Sequence, residues 1–267
     1  MSNSKTLVTC DGFNLSIEHT VSKNQKVILW LHGITVDKNE YLNFFKDGAD
    51  YLAINGIDSL RIDFRGHGES EGSSKDFSII GQIIDAKTAI KYITKYYGTN
   101  IDVYILGCSF GAPPAIYTAI DYPDIIKKIF LISPILSYRR TFLYPETAWA
   151  QELFNLKTIS HLENNDELFF DENFPIGRRL LEEMKVIRPE TDINLTTQEI
   201  IIIHGDADSM VPFNVSQDIS NKLNKIRFFP VKGMDHGFMD EMDEEGTGAK
   251  SLENKQFIYH VILDQCQ

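Results

Sequence analysis

Three short stretches carry residue types that could perform nucleophilic chemistry. They are Gly107-Cys108-Ser109-Phe110-Gly111, His204-Gly205-Asp206-Ala207-Asp208 and Gly233-Met234-Asp235-His236-Gly237. A serine hydroxyl is a poor nucleophile at neutral pH. It needs a base within hydrogen-bond reach, and the base needs an acid to orient it. The first stretch is a G-x-S-x-G that follows the apolar run Ile101, Val103, Tyr104, Ile105, Leu106 and precedes a predicted helix from about residue 112. Between a buried strand and a helix, the pattern predicts a turn tight enough to force Ser109 into a strained backbone conformation. Side chains two residues to either side would collide, hence glycine at 107 and 111. Pro113 and Pro114 suit a first helical turn, where N–H groups have no intrahelical partner. The Phe110 amide then points from a helix N-terminus at whatever Ser109 attacks.

Seven histidines compete for the role of base. His19 and His260 fall in a peripheral strand and the last helix and read as structural, and His161 lies in a segment inserted among the strands. His204 ends a strand and reads as packing or capping it. His67 sits in a turn on the correct face and reads as lining the pocket. His32 reads as a brace for the loop after the third strand. His236, on a glycine-flanked loop after the last strand, is placed to reach a nucleophile at the C-terminal edge of a parallel sheet. For the acid, Asp206 is close to a strand end and turns the loop, whereas Asp208 lies further out, ahead of Val211-Pro212. No carboxylate occurs from Ser133 to Arg140 to compete with it. A second oxyanion donor is expected from the loop after residues 26–31, where Gly33 permits close approach and selects the amide of Ile34 beside that of Phe110. The expected site is therefore Ser109, Asp208 and His236, with the backbone amides of Ile34 and Phe110.

Short strands are predicted at 6–10 and 15–21, buried ones at 26–31 and 101–106, and further strands at 59–64, 126–132, 199–204 and 226–231. Helices are predicted at 39–55, 77–97, from 112, at 214–223 and at 250–263. Strand–helix alternation of this kind implies a mostly parallel sheet covered on both faces. The alternation breaks from 136 to 195, a segment without a clear strand but rich in Phe, Tyr and Trp. It reads as a mostly helical insertion over the strand ends. The core is then 1–135 with 196–267.

The chain has 267 residues, 43% of them hydrophobic, and a net charge of -12. Such a surface repels phosphate backbones and anionic lipid. No apolar run approaches bilayer length, and residues 1–6 lack the apolar core of a leader. Three widely spaced cysteines, Cys10, Cys108 and Cys266, argue against a disulfide framework or a metal cluster and suit a reducing cytoplasm. Cys108 reads as a buried small apolar residue turned away from the pocket. Asp240 to Glu245 is a dense acidic run, read as a solvated loop. Arg139 and Arg140 read as surface arginines.

Four motifs in register, His32-Gly33, Asp63-Phe64-Arg65-Gly66-His67-Gly68-Glu69-Ser70, the G-x-S-x-G, and His204-Gly205-x-x-Asp208 with Gly233 to Gly237, resemble those of the α/β-hydrolase superfamily. The likeness runs over essentially the whole chain, and the order serine–acid–histidine is that of the superfamily. The chain looks most like small serine esterases with an inserted cap, cinnamoyl and feruloyl esterases and monoacylglycerol-lipase-like enzymes among them. Ile34 stands where many of these relatives have Phe, and Ala112 where many have a second glycine. The resemblance implies hydrolysis of carboxylic esters of small to medium acyl or aryl groups through an acyl-enzyme, without cofactor or metal. A thioesterase or acylaminopeptidase-like hydrolase would use the same triad, and a non-catalytic small-ligand binder could share the fold. The expected partner is a small-molecule ester. Neither nucleic acid nor stable membrane insertion is expected, and a homodimer is left open.

Overall fold

The apolar runs of the sequence become the inner strands of one sheet. A computed structural model describes residues 2–22, 25–170, 174–240, 242–243 and 245–266; Met1, Glu241 and Glu244, which belong to stretches read above, lie outside them. The strands are β1 (Ser2–Val8), β2 (Asn14–Thr20), β3 (Lys26–Leu31), β4 (Asp58–Ile62), β5 (Asp102–Cys108), β6 (Ile126–Ile132), β7 (Leu168–Phe169), β8 (Pro175–Ile176), β9 (Glu199–Gly205) and β10 (Ile226–Val231). The helices are α1 (Phe44–Ile54), α2 (Ile79–Tyr97), α3 (Ala112–Asp121), α4 (Ala148–Leu153), α5 (Leu156–Asn165), α6 (Arg178–Val186), α7 (Pro189–Asp192), α8 (Phe213–Ser220) and α9 (Ala249–Gln265). The main sheet runs β1-β2-β4-β3-β5-β6-β9-β10. β1 and β2 join it antiparallel, and all later neighbours pair parallel. This is the α/β-hydrolase architecture.

Side chains alternate along a strand, so a run apolar at every position fills two layers. In β3, Val27, Leu29 and Leu31 pack with residues of α2, α3 and α8, whereas Ile28 and Trp30 pack with α1 and α9. Chain order β3–β4 and then β5 on the other side of β3 makes a switch point between β3 and β5. In an open parallel sheet that is where a crevice opens at the strand C-termini. The register aligns those ends: Leu31 opposite Gly107, Cys108 opposite Ile132, Ile132 opposite Ile203, and His204 opposite Pro230. The loops carrying Ile34, Ser109, Asp208 and His236 therefore leave along one rim.

Two helix starts differ from the expectation for local reasons. α2 begins at Ile79 rather than 77 because Ser78 takes the N-cap, its Oγ accepting from the Gly81 N–H at 3.0 Å. α1 begins at Phe44 rather than 39 because Glu40, Leu42 and Asn43 have φ of 61°, 49° and 57°, which breaks the helix. The segment between β6 and β9 is mostly helical, but it also contains a strand pair that was not expected, Leu168 facing Ile176 and Phe169 facing Pro175. Two-residue strands are too short to leave a period in the sequence. Buried Glu183 on α6 accepts from the Ile80 N–H at 3.0 Å and joins this segment to the start of α2.

Within the acidic run, Asp243 is tied to the helix that follows. Asp243 accepts from the Gly248 N–H at 2.7 Å and from Ser251 Oγ at 2.6 Å, at the start of α9, where a helix N-terminus favours negative charge. Among the described residues, no helix is long and apolar enough to cross a membrane.

Candidate active site

Ser109 follows β5 directly, at the first position of a single helical turn, with φ of 49°. A non-glycine residue in this region is strained, as the motif predicts. The glycines have specific neighbours: a Cβ on Gly107 would lie 2.3 Å from the Gly111 carbonyl oxygen, and one on Gly111 would lie 2.0 Å from that of Leu31. Any side chain at either place would push the turn off β3 and β5.

The structure brings the three predicted side chains together. Ser109 Oγ donates to His236 Nε2 at 3.1 Å, and His236 Nδ1–H donates to Asp208 Oδ2 at 2.8 Å. Asp208 is buried and its carboxylate is fully used. Oδ1 accepts from the Met210 and Val211 amides at 2.9 and 2.8 Å, and Oδ2 also accepts from His204 Nε2–H at 3.0 Å. Burial works to raise its pKa, but His236 and then His204 outweigh it, and the group is held well below the usual carboxylate range. For His236, burial disfavours the imidazolium, yet the neighbouring Asp208 carboxylate wins and raises the pKa. The arrangement can take a proton from Ser109 and hold it.

His204 was expected only to pack or cap its strand. It is fully buried and links Asp208 to Ser216, whose Oγ lies 2.8 Å from Nδ1. The His-x-x-x-Asp spacing across the β9 turn was the available signal. Asp206 acts as read, turning the loop: its Oδ1 accepts from the Gly233 N–H at 2.7 Å and ties the β9 loop to the β10 loop.

The loop after β3 is braced from three sides. His32 Nδ1–H donates to the Gly33 carbonyl at 2.6 Å while its Nε2 accepts from the Phe64 amide at 3.0 Å. Burial holds this imidazole neutral, its pKa pushed down to about 4. His67 differs from its expectation. It is not part of the cavity wall but is buried against Phe77 and Phe174, with ring centroids 4.6 Å from each. Its Nε2 accepts from the Thr35 amide at 3.3 Å, and burial pushes its pKa down to about 3. The third brace, Glu40, was not anticipated. Its Oε2 accepts from the Gly33 N–H at 2.8 Å, and burial pushes its pKa up to about 7 against the pull of the Gly33 and Tyr41 amides and His236. It sits in a stretch of helical spacing, where one more carboxylate carries no signal.

A cavity of about 370 Å3 opens over Ser109. Ile34, Phe110 and His236 lie in its wall, and Phe142, Trp149 and Phe170 from the segment after β6 face it. The other aromatics divide: Tyr138 and Phe154 are buried among their neighbours, and Tyr144 and Phe169 are exposed. Cys108 is buried, but it belongs to the cavity wall instead of turning away, and its thiol meets Glu40. Arg140 pairs with Glu146 and Asp218, and Arg139 lies over the Tyr144 ring. Neither arginine lines the cavity over Ser109. Among the described residues, no group of His, Cys, Asp and Glu is arranged to hold a metal ion.

Comparison with known families gives a match over residues 22–168 to the family described as serine aminopeptidase, S33. The matched stretch contains the β3 loop and Ser109 and ends before Asp208 and His236. Among solved structures, Est1E from Butyrivibrio proteoclasticus with ferulic acid bound superposes with a TM-score of 0.79 at 22% identity, covering 98% of this chain and 99% of its own. The esterase Pf2001 of Pyrococcus furiosus gives 0.67 at 18% identity over 97% and 91% of the two chains. The esterase EaEST from Exiguobacterium antarcticum gives 0.65 at 14% identity over 99% of each. At these identities the likeness is one of fold. No curated protein gives a significant match.

Proposed function

This chain belongs to the serine aminopeptidase S33 family of α/β-hydrolases, and from that premise we propose that it hydrolyses carboxylic esters of small to medium acyl or aryl groups. Ser109 Oγ attacks the acyl carbon while His236 Nε2 takes its proton. Asp208 holds the imidazole in the right tautomer and stabilises its charged form. The developing oxyanion accepts from the amides of Ile34 and Phe110. The tetrahedral intermediate collapses, the C–O bond breaks, and His236 returns the proton to the leaving alcohol. Water then repeats the sequence on the acyl-enzyme and releases the acid. In this reading residues 136–195 act as a cap whose aromatic face receives the acyl or aryl group, in a chain working in the cytoplasm as a soluble enzyme.

The observation that carries the reading is the continuous relay Ser109 Oγ–His236 Nε2 at 3.1 Å and His236 Nδ1–Asp208 Oδ2 at 2.8 Å. A binding module with the same fold has no need of it. Est1E, whose structure holds ferulic acid, lends the aryl class its support. The family description itself favours a second reading, removal of an amino acid from an amide. Both readings share the steps above and differ in the leaving group.

The test is turnover of p-nitrophenyl butyrate, methyl ferulate and an aminoacyl anilide by the wild type and Ser109→Ala. The expected result is ester hydrolysis that falls more than about 100-fold in the variant, with a fluorophosphonate adduct on Ser109 in the wild type. Ester turnover that survives in Ser109→Ala, or folded wild-type protein that takes no adduct, overturns the proposal. Preference for the anilide over the esters establishes the second reading in its place.

A further inference from the structure

Of eight non-glycine residues with positive φ among those described, four lie in the nine residues that follow Ile34: Thr35 at 67°, Glu40 at 61°, Leu42 at 49° and Asn43 at 57°. Such a segment keeps its shape only where its surroundings over-determine it. The amide at stake is Ile34 N–H, which has no acceptor among the described residues. On either side of it the backbone is tied: the Gly33 carbonyl to His32, the Gly33 N–H to Glu40 and the Thr35 N–H to His67.

The Gly33 C=O and Ile34 N–H belong to one planar trans peptide and point in opposite directions. By holding the oxygen, His32 turns the Ile34 N–H the other way. Glycine, however, leaves φ and ψ soft, so this plane swings about Gly33 unless the preceding plane is held as well. The only side chain holding the preceding plane at its N–H, among the described residues, is Glu40. A Cβ on Gly33 would stand 3.4 Å from Ser109 Cβ and 3.7 Å from each Glu40 carboxyl oxygen, ordinary contact distances, so Glu40 holds this residue through its hydrogen bond and not by crowding. Glu40 is buried, lies in the cavity wall, and also accepts from the Tyr41 amide at 3.2 Å. Burying a carboxyl group is costly unless its hydrogen bonds are made, and the relay of Ser109, His236 and Asp208 has no use for a second acid.

We infer that Glu40 is a positioning residue of the site: by accepting from the Gly33 N–H, its carboxyl group fixes the pitch of the oxyanion loop and aims the Ile34 N–H at the oxyanion. This rests on the ester-hydrolase reading above. An oxyanion donor acts in the transition state rather than on bound substrate, so its misalignment lowers kcat and leaves KM nearly unchanged.

The experiment measures kcat, KM and melting temperature on p-nitrophenyl butyrate for the wild type, Glu40→Ala, Glu40→Asp, Glu40→Gln and Ser109→Ala. Glu40→Ala is expected to lose about 10- to 100-fold in kcat with KM within about 3-fold, since loss of an oxyanion donor costs up to about 10²–10³. Glu40→Asp keeps the charge but withdraws the acceptor from Gly33 by one methylene. It is expected to behave like Glu40→Ala, and it carries the test if the alanine variant does not fold. Glu40→Gln still offers an oxygen to the Gly33 N–H and is expected to return kcat to within about 5-fold of wild type. A folded Glu40→Ala or Glu40→Asp with kcat within about 2-fold of wild type overturns the inference, and so does a loss confined to KM. A glutamine variant no better than alanine overturns it too, because charge would then matter and not the acceptor. Those outcomes leave a Ser109-dependent wild-type esterase standing. A wild type inert toward esters, or a Ser109→Ala that matches it, overturns the hydrolase reading itself and this inference with it.

Discussion

The floor of the cavity and its roof are built on different physics. In the floor, polar atoms around Ser109 are held by short, directional contacts. Asp208 alone accepts from two backbone amides and two imidazoles. Hydrogen bonds weaken steeply with distance and angle, so each fixes a neighbour to a fraction of an ångström. The roof, where Phe142, Trp149 and Phe170 face the cavity, is held mainly by rings and aliphatic side chains. Phe142 stacks on Phe110 at 5.3 Å, and Phe170 meets Trp149 edge-on at 5.4 Å. Such packing is adaptable, and volume-conserving changes cost little. On the proposed ester-hydrolase reading, the difference puts reactivity in the floor and substrate choice in the roof. Mutations in the two regions should separate in kind as well as in size.

The largest effect should come from the centre of the floor. Asp208→Asn keeps the shape but presents an amide to His236 and favours the wrong tautomer. A loss of about 10⁴ in kcat is expected from the same change in comparable triads. Stopped assays on p-nitrophenyl butyrate measure it, and a loss under about 10-fold would mean that orientation of the imidazole comes from elsewhere. Next is His204→Phe, which keeps an aromatic ring beside Phe213 but removes the donor to Asp208 Oδ2 and the acceptor for Ser216. Leaving buried partners unsatisfied costs about 1–3 kcal/mol. The melting temperature should fall, and kcat should drop about 10-fold at nearly constant KM. Unchanged kcat would return His204 to the purely structural role that the sequence suggested.

In the roof, Trp149→Ala should reverse the pattern. KM for an aryl or medium-chain ester should rise about 3- to 10-fold while kcat and the acetate ester change little, because uniform binding is lost without touching the transition state. Should kcat fall with KM unchanged, the roof would be part of the chemistry and the division between floor and roof would fail.

The legibility of the sequence follows the same division. Ser109, Asp208 and His236 are far apart in the chain, yet each follows an apolar run that forms a strand. Parallel strands send all such ends to one rim, so the pattern of runs was enough to pair them. The β3, β6 and β10 spans were legible to the residue, β3 because an apolar run buried on both faces has sharp ends, although β10 lies at the sheet edge and exposes Arg227 and Pro230. What was hidden depends on backbone conformations that sequence does not mark. Glu40, Leu42 and Asn43 take left-handed φ without being glycine, so a broken loop looked like the first turns of a helix, and Glu40 within it carried no signal. His67 looked like a pocket residue because its loop is on the right side of the sheet, but its ring turns inward to Phe77 and Phe174. The β7–β8 pair was hidden in a roof whose composition states apolarity and little else.

The smallest expected effect is the sharpest check on how the roof is held. Arg140 joins it to the core, pairing with Glu146 at 2.5 Å and with Asp218 on α8 at 2.9 Å. All three side chains are substantially exposed, and pairs of this kind contribute about 0–1 kcal/mol because solvent screens them and ordering long side chains offsets the attraction. If ring packing seats the roof, Arg140→Ala should shift the melting temperature by no more than about 3 °C and leave the order of preference among acyl chain lengths intact. A larger shift, or a changed preference at unchanged stability, would mean that electrostatic ties at its base set the height of the roof above Ser109. Specificity would then be written partly in the directional terms of the floor.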